Sequence, residues 1–156
     1  MRTALLCAAG MLCVIGDAAA AGLDLNMLQT RDLTLLYFDP AETYLTPYVA
    51  RAFENSLAAQ HRNFDWTPWG RTTVWLQDFS DRGNASARAN PNNAITIQIA
   101  PTNQTYETFS AGERFFTLMN HELVHVATMD VWNEQDAWWR KFFHGKPAWA
   151  QQHPES

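Results

Sequence analysis

The sequence predicts an α+β fold on a small mixed sheet, with an edge strand beside a helix that carries a histidine pair. Three observations predict it. Short apolar or alternating segments at 33–38, 72–76 and 94–100 have strand character. Residues 46–61 and 110–129 repeat apolar positions at helical spacing, and a further helix starts at Asn133. The order strand, helix, strand, long loop, strand, helix, helix, with no internal repeat, is an α+β layout.

The chain of 156 residues suits one domain, and 47% hydrophobic residues supply enough apolar surface for a core. The formal charge of −5, without a Lys/Arg cluster, argues against nucleic acid as a partner. Residues 1–21 read as a signal peptide outside the folded domain. Arg2 gives a positive start, 4–15 is an apolar run too short to span a bilayer, and small residues surround a cleavage site after Ala20 or Ala21. The expectation is therefore a secreted or periplasmic domain, 22–156, with no stable membrane insertion after signal cleavage. Both cysteines, Cys7 and Cys13, fall in the signal segment. The mature domain then has neither disulfides nor thiolate ligands, and any metal must be held by His, Asp or Glu.

In chain order, LTLLYF at 33–38 reads as a buried strand stopped by Asp39-Pro40. Thr46-Pro47 reads as an N-cap followed by proline at the first helical position, with Val49, Ala52, Phe53, Ser56 and Leu57 on one face of the helix. TTVWL at 72–76 reads as a second strand, and the Gly-, Asn-, Ser-, Asp- and Pro-containing stretch 78–93 as a long loop. AITIQIA at 94–100 alternates Ile with Thr and Gln, so Ile95, Ile97 and Ile99 point inward. It is expected as the edge strand flanking the cleft. Ser110 and Glu113 form a capping box that opens a helix running to about Met129. Asn133-Glu134-Gln135-Asp136 opens the last helix, which Gly145 and Pro147 stop.

The capped helix contains His121-Glu122-Leu123-Val124-His125, the pattern H-E-x-x-H. A spacing of four stacks the two imidazoles on one helical face, where both can bind one zinc ion. Glu122 is one position along and cannot join them as a ligand. It is placed instead to act as general base on a water that zinc polarises. Five residues with three fixed form a short pattern, and two helix histidines beside a surface acid are the bland alternative. The helical frame, the apolar neighbours Leu118, Met119, Leu123, Val124 and Val126, and the export signal favour the metal reading. The third ligand is less evident. The metzincin histidine and glycine positions hold Val131 and Thr128, which excludes that pattern. The positions where gluzincins place a glutamate on the next helix hold His144 and Gly145. Glu134 and Asp136 suit the positive end of their own helix, and Glu155 is close to the terminus.

From Thr30 to Ser156 the chain resembles the peptidase domain of large secreted bacterial gluzincin-type proteins, the peptidase MA-like class, some of which carry a β-propeller after the peptidase. The resemblance rests on TRDLTLLYFDP, LTPYVARAFENSL, LQDFSDRGNA, the strand ending IAP, MNHELVHV and the connector HGKPAWAQQHPES. It implies a zincin-like N-terminal subdomain, zinc on His121 and His125, Glu122 as the base, and a peptide or protein substrate. It also implies a third ligand, a glutamate in a W-x-x-E-G motif downstream. Here Trp149 is followed by Ala150, Gln151 and Gln152, so the expectation is a domain truncated at its C-terminus. The competing expectation is a non-catalytic exported binding module, or inactive fragment, that keeps the peptidase scaffold.

Overall fold

The computed structural model describes residues 22–81, 83–100, 114–132 and 134–146. The segment 1–21 expected as a signal peptide, the capping box expected at Ser110 and Glu113, Asn133 and the stretch from Pro147 to Ser156 lie outside the described residues. Among the described residues, five strands and three helices make an α+β fold with a mixed sheet. They run β1 (Asp24–Gln29), β2 (Leu33–Asp39), α1 (Thr46–Phe64), β3 (Thr72–Gln77), β4 (Ala85–Arg88), β5 (Ala94–Gln98), α2 (Arg114–Met129) and α3 (Glu134–Phe143). A single 3-10 turn, Thr43–Leu45, leads into α1.

The sheet order is β1-β2-β3-β5-β4. Strands β2, β3 and β5 are parallel, with Leu35 opposite Val74 and Val74 opposite Ile95. The outer strands β1 and β4 run antiparallel to β2 and β5. Period-two alternation puts Leu33, Leu35, Val74, Leu76, Ile95 and Ile97 into one core, fully or almost fully buried. Helix α1 adds Val49, Ala52, Phe53 and Leu57 to that core, and α2 adds Met119, Leu123, Val126 and Ala127. The small residues Ala52 and Ser56, both buried, lie on the inner stripe of α1, which packs extensively on α2.

The sequence-based expectations need four corrections. The segment at 94–98 is not an edge: β5 pairs with β3 on one side and β4 on the other. The edge beside α2 is β4, which packs against that helix. β4 lies inside the stretch read as loop. ASAR has no β-branched or aromatic residue, so nothing in its propensity marks a strand; pairing to β5 creates it. β1 was also invisible, because Leu25 and Met27 gain little burial there. Finally, Thr46 is the first residue of α1, not its cap. Its hydroxyl donates to the Thr43 carbonyl at 2.9 Å, tying α1 to the 3-10 turn.

Glu42 secures that junction. It is 2% exposed, and its Oε2 accepts the Phe38 N–H at 2.7 Å. Burial pushes its pKa up, against that hydrogen bond, and nearby Asp78 pushes it further the same way. The native state therefore keeps the Glu42 proton to higher pH than the unfolded chain, so stability from this site falls as pH rises from the ordinary glutamate value through the raised one. Glu42→Gln retains an acceptor for Phe38 and lacks this loss. Its stability relative to the parent should thus improve between acidic and neutral pH, as urea unfolding at a series of pH values would show; a flat difference would contradict the assignment. Leu123→Ala should lower unfolding free energy by about 2–5 kcal/mol, because the side chain is fully buried in the core. The midpoint of the same unfolding curves reads this out.

Candidate metal centre

Helix α2 divides its residues by face. Met119, Glu122, Leu123, Val126 and Ala127 recur at three- and four-residue steps and form the buried stripe. His121 and His125 lie outside it and are exposed. Their rings sit edge to face, 4.8 Å between centroids, and their Nε2 atoms converge to 3.2 Å. Two nitrogens bound tetrahedrally to one zinc at about 2.0–2.1 Å would lie about 3.3 Å apart. The separation thus fits a shared ion. One imidazole N–H donating to the other ring satisfies the same pair equally well.

Glu122 is 5% exposed, on the stripe that faces the core. Burial raises its pKa above the usual glutamate value, and the charges of His121 and His125 oppose that rise. A carboxylate that feels both imidazoles has a position different from that of an ordinary surface acid. The backbone beneath the pair is held from two sides. Gln60 of α1, almost fully buried, donates to Asn120 Oδ1 at 2.6 Å and to the Asn120 carbonyl at 3.3 Å, one residue before His121. At the start of α2, the Arg114 guanidinium donates to the carbonyls of Ile99, Gln98 and Ala100 at the end of β5. Thr128 donates to the His125 carbonyl at 2.9 Å.

The other candidates among the described residues do not join the pair. Among the described residues there is no group of three His, Cys, Asp or Glu side chains able to hold a metal. His144 has φ 53° and follows the last residue of α3, as its glycine neighbour implied. Together with Asp130 it lines a separate pocket. Glu134 and Asp136 occupy the first turn of α3, where the helix dipole favours them. Glu155 lies outside the described residues.

Sequence reasoning missed Asp130. It is 1% exposed just past the end of α2. Its Oδ1 accepts from Arg140 Nη2 at 2.6 Å and faces Lys146 Nζ at 3.7 Å. Its Oδ2 accepts from Asn93 Nδ2 at 2.9 Å and from the Trp69 N–H at 3.3 Å. Lys146 also donates to the Met129 carbonyl, and its own N–H donates to Pro91 at 2.6 Å. The signal was present in the stripe itself: Asp130 is four residues after Val126, where an apolar side chain would continue the pattern.

Comparison with protein-family models, with curated proteins and with solved structures gives no match. The chemical reading therefore rests on the residues alone.

Asp130→Asn takes from buried Arg140 and Lys146 the carboxylate they share. It should destabilise the domain by about 3–5 kcal/mol, the usual cost of breaking a buried pair from one side. Urea unfolding at neutral pH measures this, and a loss under about 1 kcal/mol would show that the network carries no such weight.

Proposed function

We propose that this chain provides the zinc-binding and base-bearing part of an exported metallopeptidase of gluzincin type, acting on peptide or protein substrates. The observation that carries the reading is the convergence of His121 and His125 Nε2 atoms to 3.2 Å on the exposed face of α2, with Glu122 on the adjoining face. Zinc held by these two imidazoles would supply a Lewis acid that polarises water and the scissile carbonyl. Glu122 takes the proton from the attacking water and returns it to the leaving amine, while its burial shields that proton from bulk solvent. Gln60 and Arg114 fix the helix under these groups, so the two rings keep their mutual geometry.

The edge strand β4 fits the same reading. Its outer side carries no strand among the described residues, and it lies against α2. An extended peptide added to this edge would gain affinity from backbone hydrogen bonds, without demanding sequence. The proposed setting is extracellular or periplasmic, as the leader implies. Among the described residues no helix is long and apolar enough to cross a membrane.

A second reading has one observation in its favour. No third ligand joins the histidine pair among the described residues, and two imidazoles hold zinc more loosely than three protein ligands do. On this reading the domain is a non-catalytic exported binding module with residual metal affinity.

Zinc uptake and proteolysis separate the two. The purified chain, dialysed against micromolar zinc, should take up one ion per chain, weakly enough for prolonged dialysis to remove it. His121→Ala and His125→Ala should each abolish uptake, and Glu122→Gln should leave it unchanged. In any form of the protein that cleaves a casein-type substrate, Glu122→Gln should abolish turnover and a chelator should do the same. Zinc uptake that survives loss of both histidines would sink the metal assignment. Zinc-loaded protein without cleavage in any form would leave the binding-module reading standing.

A further inference from the structure

The pocket at the far end of α2 has a different chemistry from the histidine pair. It encloses about 430 Å³ between the 69–71 loop, the turn before β5, and the end of α3. That is enough for a small metabolite. Its walls carry Arg71, Arg140, Lys141 and Lys146, with His144 at the same mouth. The facing carboxylates are Asp130, in the wall, and Asp136, whose charge acts on Lys146. Four cations against two carboxylates leave an excess of two positive charges, in a chain of formal charge −5. Such an excess concentrated in one concave site attracts anions.

We propose that this pocket binds a phosphate group, free or as a small monoester. Both oxygens of Asp130 already have their donors, so the carboxylate does not exhaust the cations around it. Arg140 is 6% exposed and gives one Nη2 bond to Asp130, while its buried Nε has no hydrogen-bond partner among the described residues. Its guanidinium is kept in place by the Trp69 ring, 5.1 Å from the centroid. Arg71 lines the pocket and is anchored through its Nε, which donates to the carbonyls of Thr30 and Arg31, at 3.1 and 3.3 Å. Lys141 is exposed at the rim. Planar guanidinium forks with a mobile ammonium beside them match the tetrahedral, multiply charged oxygens of phosphate. Burial holds Lys146 below the usual lysine pKa, and an anion beside it would relieve that cost.

The site is distinct from the metal centre. Asp130 lies about 7.5 Å along α2 from His125 and roughly 140° around the helix. Neither histidine lines the pocket.

Calorimetric titration of the whole chain, freed of metal by chelator, tests the proposal with inorganic phosphate and with glycerol phosphate. Sodium chloride at matched ionic strength sets the background. One saturable site is expected for at least one of the two probes; the tighter one tells whether the ion or its ester is the better ligand. The double variant Arg71→Gln/Lys141→Gln should weaken binding by about tenfold or more, as loss of two charge-assisted contacts implies. Should that variant fold poorly, Lys141→Glu alone, on an exposed side chain, must still weaken it. Binding must persist in His121→Ala/His125→Ala. Heats no larger than those of chloride for both probes would overturn the proposal. So would saturable binding that ignores Arg71 and Lys141, or that disappears with the histidines.

Discussion

Asp130 is a carboxylate that water barely reaches, and the far half of the molecule is arranged around keeping it solvated by protein. Four groups from three separate pieces of chain supply that solvation: the Trp69 backbone, the Asn93 amide, the Arg140 guanidinium and the Lys146 ammonium. None of these pieces is held by the apolar core alone. The loop before β3, the turn before β5 and the end of α3 thus meet at one point because each gives a hydrogen bond or a charge to the same group. An isolated buried charge costs several kcal/mol, so the four donors are not interchangeable decorations; each removes part of that cost. The same arrangement caps the negative end of α2, since Lys146 donates to the Met129 carbonyl as well.

With one end anchored in this way, α2 can serve two surfaces. Its apolar stripe holds it to α1 and the sheet, and its exposed histidines need not contribute to stability. Glu122 lies between these roles, a polar group on the packed side, influenced by the rings on the open side. Such a position is costly for a structural residue and useful for a proton carrier, because burial raises its affinity for a proton while the neighbouring imidazoles keep it ionisable.

Much of the fold was legible in the sequence for a physical reason. Period-two and period-3.6 apolar patterns report burial, and this is how β2, α1, β3, β5 and α2 were read, while α3 was read from its acidic first turn and the glycine after it. The two outer strands escaped because an edge strand buries only part of one face. In β1, Leu25 and Met27 remain more than half exposed, and in β4 the inward residues are only Ala85 and Ala87. Missing β4 made β5 look like the edge. At the site, the histidine spacing foretold the convergence of the rings, since helix geometry alone brings residues four apart together. The Asp130 network was not legible, because its members come from four stretches whose adjacency is a property of the tertiary structure. Only the acid on the apolar stripe of α2 hinted at it.

The meagre side chains of β4 determine the width of the space next to the histidine helix. Ala85 and Ala87 put single methyl groups toward the interior, where most strands would place a branched or aromatic residue. The strand packs against α2 through these small side chains and other residues of the pair. A larger residue at either position would act as a spacer and push on the whole strand, since all four of its residues pair with β5. The gap between edge and helix is therefore an adjustable dimension of this protein, governed by two alanines that take no part in any chemistry.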